Sequence, residues 1–125
     1  MPLKGYKNLI VWQKSMQLIA EVYRLVKILP KAETYALSDQ MRRAVISIAS
    51  NIAEGQGRDS TREYVRFLNI ARGSCFELET QLNACLIIEY FTERDTLDAF
   101  GLVDEIGKIL TTMINKLNKK LTPNP

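Results

Sequence analysis

The chain has 125 residues, 46% of them hydrophobic, which is enough for one continuous core and leaves no room for a second domain. A charged fraction of 25%, with no run near the roughly 20 apolar residues of a bilayer span, excludes a membrane protein, and the N-terminal residues carry no secretory signal. The net charge of +3 is too small to indicate a partner by itself, so we expect one soluble, cytoplasmic domain over residues 1–125.

Helix 1 is predicted over residues 8–29, with two apolar series on adjoining faces. The first series consists of Trp12, Met16, Ile19, Tyr23 and Val26, and the second of Leu18, Val22, Leu25 and Leu29. We expect the first series to form the main seam with the core. Pro30 ends the helix, because proline cannot donate to the helical ladder and disfavours helical geometry in the residue before it.

Helix 2 is predicted over residues 39–54, after Ser38 as N-cap. Its inward positions are Met41, Val45, Ile48 and Ile52. The helix is expected to stop at Gly55-Gln56-Gly57, where glycine can adopt left-handed C-cap geometry. A phosphate-binding glycine loop is the disfavoured alternative, because no strand precedes these glycines and no Lys-Ser/Thr pair follows them.

Helix 3 is predicted over residues 61–90 and opens with a capping box formed by Ser60 and Glu63. Its seam alternates steps of three and four residues through Tyr64, Phe67, Ala71, Cys75, Leu78, Leu82 and Cys85.

Helix 4 is predicted over residues 96–121, with Thr92 or Thr96 as its cap. Its seam is Val103, Ile106, Leu110, Met113 and Leu117. No segment alternates with period two, so the fold class is all-α. Short connections favour antiparallel neighbours, which predicts an up-and-down four-helix bundle.

The chemistry of the side chains argues against catalysis. The chain has no histidine and two cysteines, Cys75 and Cys85, which are about 15 Å apart along one predicted helix and cannot form a disulfide with each other. The Cys/His spacing of a zinc site and a histidine-assisted nucleophile are therefore missing. We expect no enzymatic activity, no cofactor and no metal site.

Some apolar residues lie off the main seams, namely Leu18, Leu25, Ile70, Leu86 and Ile87. Either they widen the arc that faces the core, or oligomerisation covers them.

Polar residues form a stripe on each of the two central helices. The stripe on helix 2 is Gln40, Arg43, Ser47, Asn51 and Glu54, and that on helix 3 is Arg62, Arg66, Asn69, Gly73 and Glu77. They are either two solvated faces or a polar network, within or between subunits, that would contain Arg43, Asn51, Glu54, Arg58 and Arg66. Gly73 costs about 1 kcal/mol relative to alanine unless close packing offsets it.

Charge is distributed unevenly along the chain. Residues 73–105 hold eight acids against one arginine. In an up-and-down bundle, both termini and the connection between helices 2 and 3 meet at one end, which gathers Lys4, Lys7, Arg58, Arg62, Arg66, Lys116, Lys119 and Lys120. The local acids are Glu54, Asp59 and Glu63. This end is either a phosphate-backbone contact or a solvated, mildly basic surface.

Five motifs carry a resemblance to a known family. They are NLIVWQ (8–13), YALSDQMRRA (35–44), SNIAEG followed by Gly57-Arg58, FLNIARGS (67–74) and ELETQL (77–82). In this order they resemble the four-helix-bundle proteins of ribosomal RNA intervening sequences, a family similar to the accessory variability protein of diversity-generating retroelements.

The resemblance implies a left-handed four-helix bundle that assembles into a homopentameric ring. In the retroelement branch it also implies binding of nucleic acid, RNA or DNA, and of a reverse transcriptase where the gene lies in a retroelement. The strongly acidic segment 73–105 departs from that branch. Two functions remain open: an RNA-associated oligomer acting through its basic end, or a protein-interaction scaffold that binds no nucleic acid.

Overall fold

The computed structural model describes residues 5–121, and this range is helical, with no strand. Its α-helices are α1 (Ile10–Val26), α2 (Leu37–Gln56), α3 (Thr61–Ile88) and α4 (Glu93–Leu121). Short 3-10 helices at Gly5–Asn8 and Lys31–Glu33 precede and follow α1. The all-α prediction is confirmed. The helix bounds differ from the predicted ones: α1 is shorter at both ends, α2 is longer at both ends, α3 ends two residues earlier, and α4 begins three residues earlier.

Each helix packs against the helix that follows it in the chain, and α1 closes the bundle by packing against α4. Neither diagonal pair, α1 with α3 or α2 with α4, makes close backbone contacts within residues 5–121. The register of the α3–α4 pair is marked by a 3.4 Å hydrogen bond from Arg72 to the hydroxyl of Thr111. This antiparallel register brings the start of α3 beside the end of α4.

The core is a single cluster to which all four helices contribute. Its largest fully buried side chains are Leu18, Leu25, Met41, Ile48, Ile52, Leu68, Leu78, Leu82, Ile106 and Leu110. Burying a side chain of this size stabilises the fold by about 1.5–3 kcal/mol relative to leaving it exposed. Residues of the predicted α2 and α3 seams are among these buried side chains, so both seams face the core.

The predicted seam of α1 was wrong. Leu18, Val22 and Leu25, from the second series, are fully buried, whereas Met16 and Tyr23 from the first are 43% and 40% exposed. Leu18 and Leu25 are thus core residues and need no subunit contact to cover them. The reason is that the two series occupy neighbouring stripes about 100° wide, so packing against α2 and α4 decides which stripe faces inward.

The helix caps agree with the sequence at two of three starts. Ser60 caps α3, accepting a 3.1 Å hydrogen bond from the Glu63 amide. At α4, Thr92 and Asp95 exchange hydrogen bonds of 2.9 and 3.2 Å, which is a complete capping box. The prediction for Ser38 was wrong, because α2 begins at Leu37, two residues before the predicted start, and Ser38 is buried in its first turn.

Gly55 is buried inside α2, and the prediction of a left-handed cap there was wrong. The C-cap is Gly57, in right-handed geometry with φ of −82°. A Cβ at Gly55 would lie 2.8 Å from the Cβ of Phe67 and 3.1 Å from Cδ1 of Tyr64. Gly55 is therefore needed for the close approach of α2 and α3.

Gly73 has the opposite environment. A Cβ placed at Gly73, Gly101 or Gly107 would meet no atom within 4 Å. Residues 5–121 of this chain therefore make no close packing at Gly73 that would offset the cost of glycine in a helix.

Both cysteines are free thiols buried in the core. Burial, together with the negative charge of Glu79, raises the pKa of Cys75 to about 12. Burial likewise raises the pKa of Cys85 to about 11, with a smaller contribution from Glu33.

Candidate nucleic-acid interface

One end of the bundle gathers cations from three separate segments. Gly5 lies against the side chain of Gln56 at the end of α2, so the N-terminal 3-10 helix, the α2–α3 connection and the end of α4 share this end. We call it the basic pole; its described cations, all exposed, are Lys7, Arg58, Arg62, Arg66, Lys116, Lys119 and Lys120. Lys4 lies outside the described residues. Seven cations thus face the three acids Glu54, Asp59 and Glu63.

Two of these arginines contact one aromatic ring. The Cζ of Arg58 lies 4.7 Å from the centroid of Phe67, and that of Arg66 lies 4.5 Å from it. Both distances are within the range of cation–π attraction. Phe67 is only 6% exposed, because the two guanidinium groups and α2 cover it. Sequence reasoning identified Phe67 as a core residue and missed this contact.

The same two arginines pair with carboxylates. Arg66 donates from Nε to Glu63 Oε2 at 2.8 Å, and Arg58 Nη2 lies 3.4 Å from Glu54 Oε2. The hydrogen bond from Arg66 lowers the pKa of Glu63, and the charges of Arg66 and Arg58 lower it further. The same bond raises the pKa of Arg66. Two of the pole's cations are therefore held by the chain's own acids.

The remaining described cations of the pole are unpaired. Within residues 5–121, no ion pair involves Lys7, Arg62 or any of the three lysines at the end of α4. Lys119 and Lys120 lie in the last turn of α4, where the negative end of the helix dipole favours cations. These side chains are available to an external anion.

The polar stripe of α2 contacts α3 at Ser74, which lies beside the polar stripe of that helix. Ser47 and Ser74 share a hydrogen bond of 2.9 Å across the two helices, and Asn51 donates to the carbonyl and hydroxyl oxygens of Ser47 at 2.8 and 3.0 Å. Arg43 and Glu77 line the same groove without forming an ion pair in the described part of the chain. The structure therefore joins Asn51 to the serines, leaves Arg43 apart, and places Glu54, Arg58 and Arg66 at the basic pole.

Large apolar side chains are exposed on all four helices, and most of them lie on the diagonal pair α1 and α3. On α1 they are Ile10, Met16 and Tyr23, and on α3 they are Ile70, Phe76, Ile87 and Ile88. Phe76 is 63% exposed and Ile87 is 83% exposed, whereas Leu86 is half-buried against the core. Ile70 and Ile87 are thus the predicted off-seam residues that remain on the surface.

The end of the bundle opposite the basic pole also exposes apolar side chains. Tyr35, in the α1–α2 connection, is 95% exposed, and Leu97 near the start of α4 is 70% exposed. Charged side chains are exposed at the same end: the acids Glu89, Glu93 and Asp98 and the cations Lys27, Lys31 and Arg94. A hydrogen bond of 2.9 Å from Tyr90 to Glu33 ties the α1–α2 connection to the end of α3.

Within residues 5–121, no helix combines the length and apolar composition needed to cross a bilayer. No group of three or more histidine, cysteine or acidic side chains in this range could hold a metal ion.

Proteins similar to this chain belong to the family that the motifs indicate. Among solved structures, the chain is similar to a protein of unknown function from the S23 ribosomal protein family of Bacteroides thetaiotaomicron VPI-5482, whose crystal structure was determined at 1.70 Å resolution. The two are 28% identical with a TM-score of 0.78, over 84% of this chain and 98% of that one. No curated protein matches. The model of the 23S rRNA-intervening sequence protein family matches residues 7–112. This match covers most of the chain and confirms the resemblance carried by the motifs, so the chain belongs to the 23S rRNA-intervening sequence protein family.

Proposed function

We propose that the protein is a non-enzymatic, RNA-associated oligomer that contacts the phosphate backbone through its basic pole. The observation that supports this proposal is the gathering of seven described cations against three acids at one end. Clustered lysine and arginine release counterions from a nucleic-acid backbone and bind it without reading bases. The predicted polar interface through Arg43 and Asn51 belongs to the same proposal, as a contact between subunits.

Binding of a fluorescent single-stranded RNA by the purified full chain tests the proposal. We expect affinity to fall steeply between about 50 and 200 mM salt, with a slope in log K against log salt of about −0.7 for each phosphate contact. Anisotropy titrations at four or five salt concentrations give this slope. Absence of binding, or binding that does not change with salt, would contradict the proposal.

The oligomer is supported by the position of the apolar surfaces. Met16 and Tyr23 share one side of α1, and Phe76 and Ile87 share one side of α3, which is diagonal to α1, so one subunit carries two different apolar surfaces. Two different faces favour head-to-tail contacts, which close into a ring when the rotation between subunits allows it. A ring would place one basic pole of each subunit on a shared surface. The family resemblance implies five subunits.

Light scattering across a dilution series tests the oligomer. We expect a mass several times the 14.3 kDa of one chain, and a shift towards that value in a Phe76→Glu variant, because a charge would be buried at the proposed contact. Ile28→Glu is the matched control, since Ile28 is exposed but lies after the end of α1, off both apolar faces. A mass near 14.3 kDa at micromolar concentration would exclude the ring.

A protein-interaction scaffold is the second candidate function. It is supported by the exposed apolar side chains Tyr35 and Leu97 at the end opposite the basic pole. This function predicts no appreciable RNA binding at any salt concentration. A reverse transcriptase as partner, in a retroelement, and a cytoplasmic location stay predictions.

A further inference from the structure

We infer that Arg58 and Arg66 form a clamp for one phosphate group of bound RNA. Glu54 and Glu63 fill this clamp in the free protein, and Phe67 positions the two guanidinium groups. The inference rests on the proposed function and adds to it a defined contact and the groups that control it.

Both guanidinium groups contact the same ring. Each Cζ lies within 4.7 Å of the centroid of the Phe67 ring. A phosphate on the solvent side of the ring would bridge the two arginines by accepting charge-assisted N–H···O bonds of about 2.7–2.9 Å from both. The ring itself is fixed, since α2 approaches it at Gly55.

The clamp lies where an anion is favoured. It flanks the start of α3 at Thr61, and the positive end of the helix dipole attracts negative charge there. Arg62, in the same first turn, is exposed and adds a further positive charge.

The acids decide how strongly the clamp binds. Residues 54–66 contain three arginines and three acids, so their net charge is zero. A phosphate must therefore displace Glu54 and Glu63 from the guanidinium groups, which it can do because both ion pairs are largely exposed and such pairs are weak. The carboxylates act as internal competitors of RNA.

Three single substitutions, each of which removes one negative charge, test the clamp. Glu54→Gln and Glu63→Gln each release a guanidinium group, whereas Asp59→Asn removes the same charge from the same connection but releases none. We expect each of the first two to tighten RNA binding about threefold to tenfold and to steepen the salt slope by about 0.7, for one added phosphate contact. Asp59→Asn should tighten binding less and leave the slope unchanged.

The role of Phe67 is tested in the Glu63→Gln background. Phe67→Leu keeps an apolar side chain but removes the ring, and should abolish the gain in affinity; Phe67→Tyr keeps the ring and should preserve it. Urea unfolding of each variant ensures that only folded protein is compared. A gain that survives Phe67→Leu would overturn the positioning role.

Three further outcomes distinguish failure of the clamp from failure of the proposed function. If the gain of Glu63→Gln disappears when millimolar inorganic phosphate is added at constant ionic strength, the clamp prefers free phosphate and the assignment to RNA is wrong. If the wild-type chain binds RNA with the expected salt dependence but Glu63→Gln and Asp59→Asn behave alike, the clamp is wrong and the proposed function stands. If the wild-type chain binds no RNA, the proposed function itself fails.

Discussion

Gly55→Ala is expected to lower the free energy of unfolding by about 1–3 kcal/mol, the usual cost of inserting a methyl group into a closely packed site. The new Cβ would lie 2.8 Å from the Cβ of Phe67 and 3.3 Å from the backbone oxygen of Tyr64. Neither atom is the end of a flexible side chain, so α2 and α3 must move apart. Urea unfolding followed by circular dichroism measures the change.

Gly101→Ala is the control for this prediction. Gly101 also lies inside a helix, but a Cβ there would meet no atom within 4 Å, so alanine should raise the free energy of unfolding by about 1 kcal/mol through helix propensity alone. Both variants should be measured at one protein concentration, because subunit contacts would contribute to stability. Stabilisation by both substitutions would show that α2 and α3 do not need a glycine at position 55.

Simultaneous replacement of Lys116, Lys119 and Lys120 by glutamine is expected to weaken RNA binding about a hundredfold at 0.1 M salt. Each lost phosphate contact reduces the salt slope by about 0.7, so the slope should become shallower by about 2. These lysines are exposed and make no ion pair within the described residues, so their removal leaves no acid unpaired there. Anisotropy titrations against salt measure both quantities.

The matched control changes the net charge equally at the opposite end. Lys27, Lys31 and Arg94 are exposed there, and their replacement by glutamine should alter RNA affinity only slightly, because salt screens charges more than about 10 Å away. An equal loss of affinity in both triple variants would locate RNA binding elsewhere than the basic pole.

The fold could be predicted where local signals agree. At the start of α3, Ser60 and Glu63 lie at capping-box spacing, and the seam from Phe67 to Cys85 keeps the helical spacing of three or four residues without a gap. On α1 the sequence offers two neighbouring stripes, and both fit helical periodicity equally well. Only contacts with α2 and α4 select the stripe that contains Leu18 and Leu25, and no local pattern encodes those contacts.

The sequence predicted which cations gather at the basic pole, but it did not predict the contacts that their side chains make. Topology alone brings the cations of three segments to one end. The approach of Arg58 to Phe67 depends on how the chain turns between α2 and α3, and that turn depends on Gly55 packing inside the helix, where the sequence suggested a cap. The pairing of Arg66 with Glu63 follows helical spacing and could have been found from it.

The two buried thiols allow opening of the bundle to be measured by their alkylation. Cys75 and Cys85 lie in the core, and with pKa values of about 12 and 11 almost none of either is thiolate at neutral pH. Since the thiolate is the reactive form, alkylating reagents can modify these residues only after α3 has separated from its neighbours. The rate of alkylation therefore follows the population of opened molecules, without any added label.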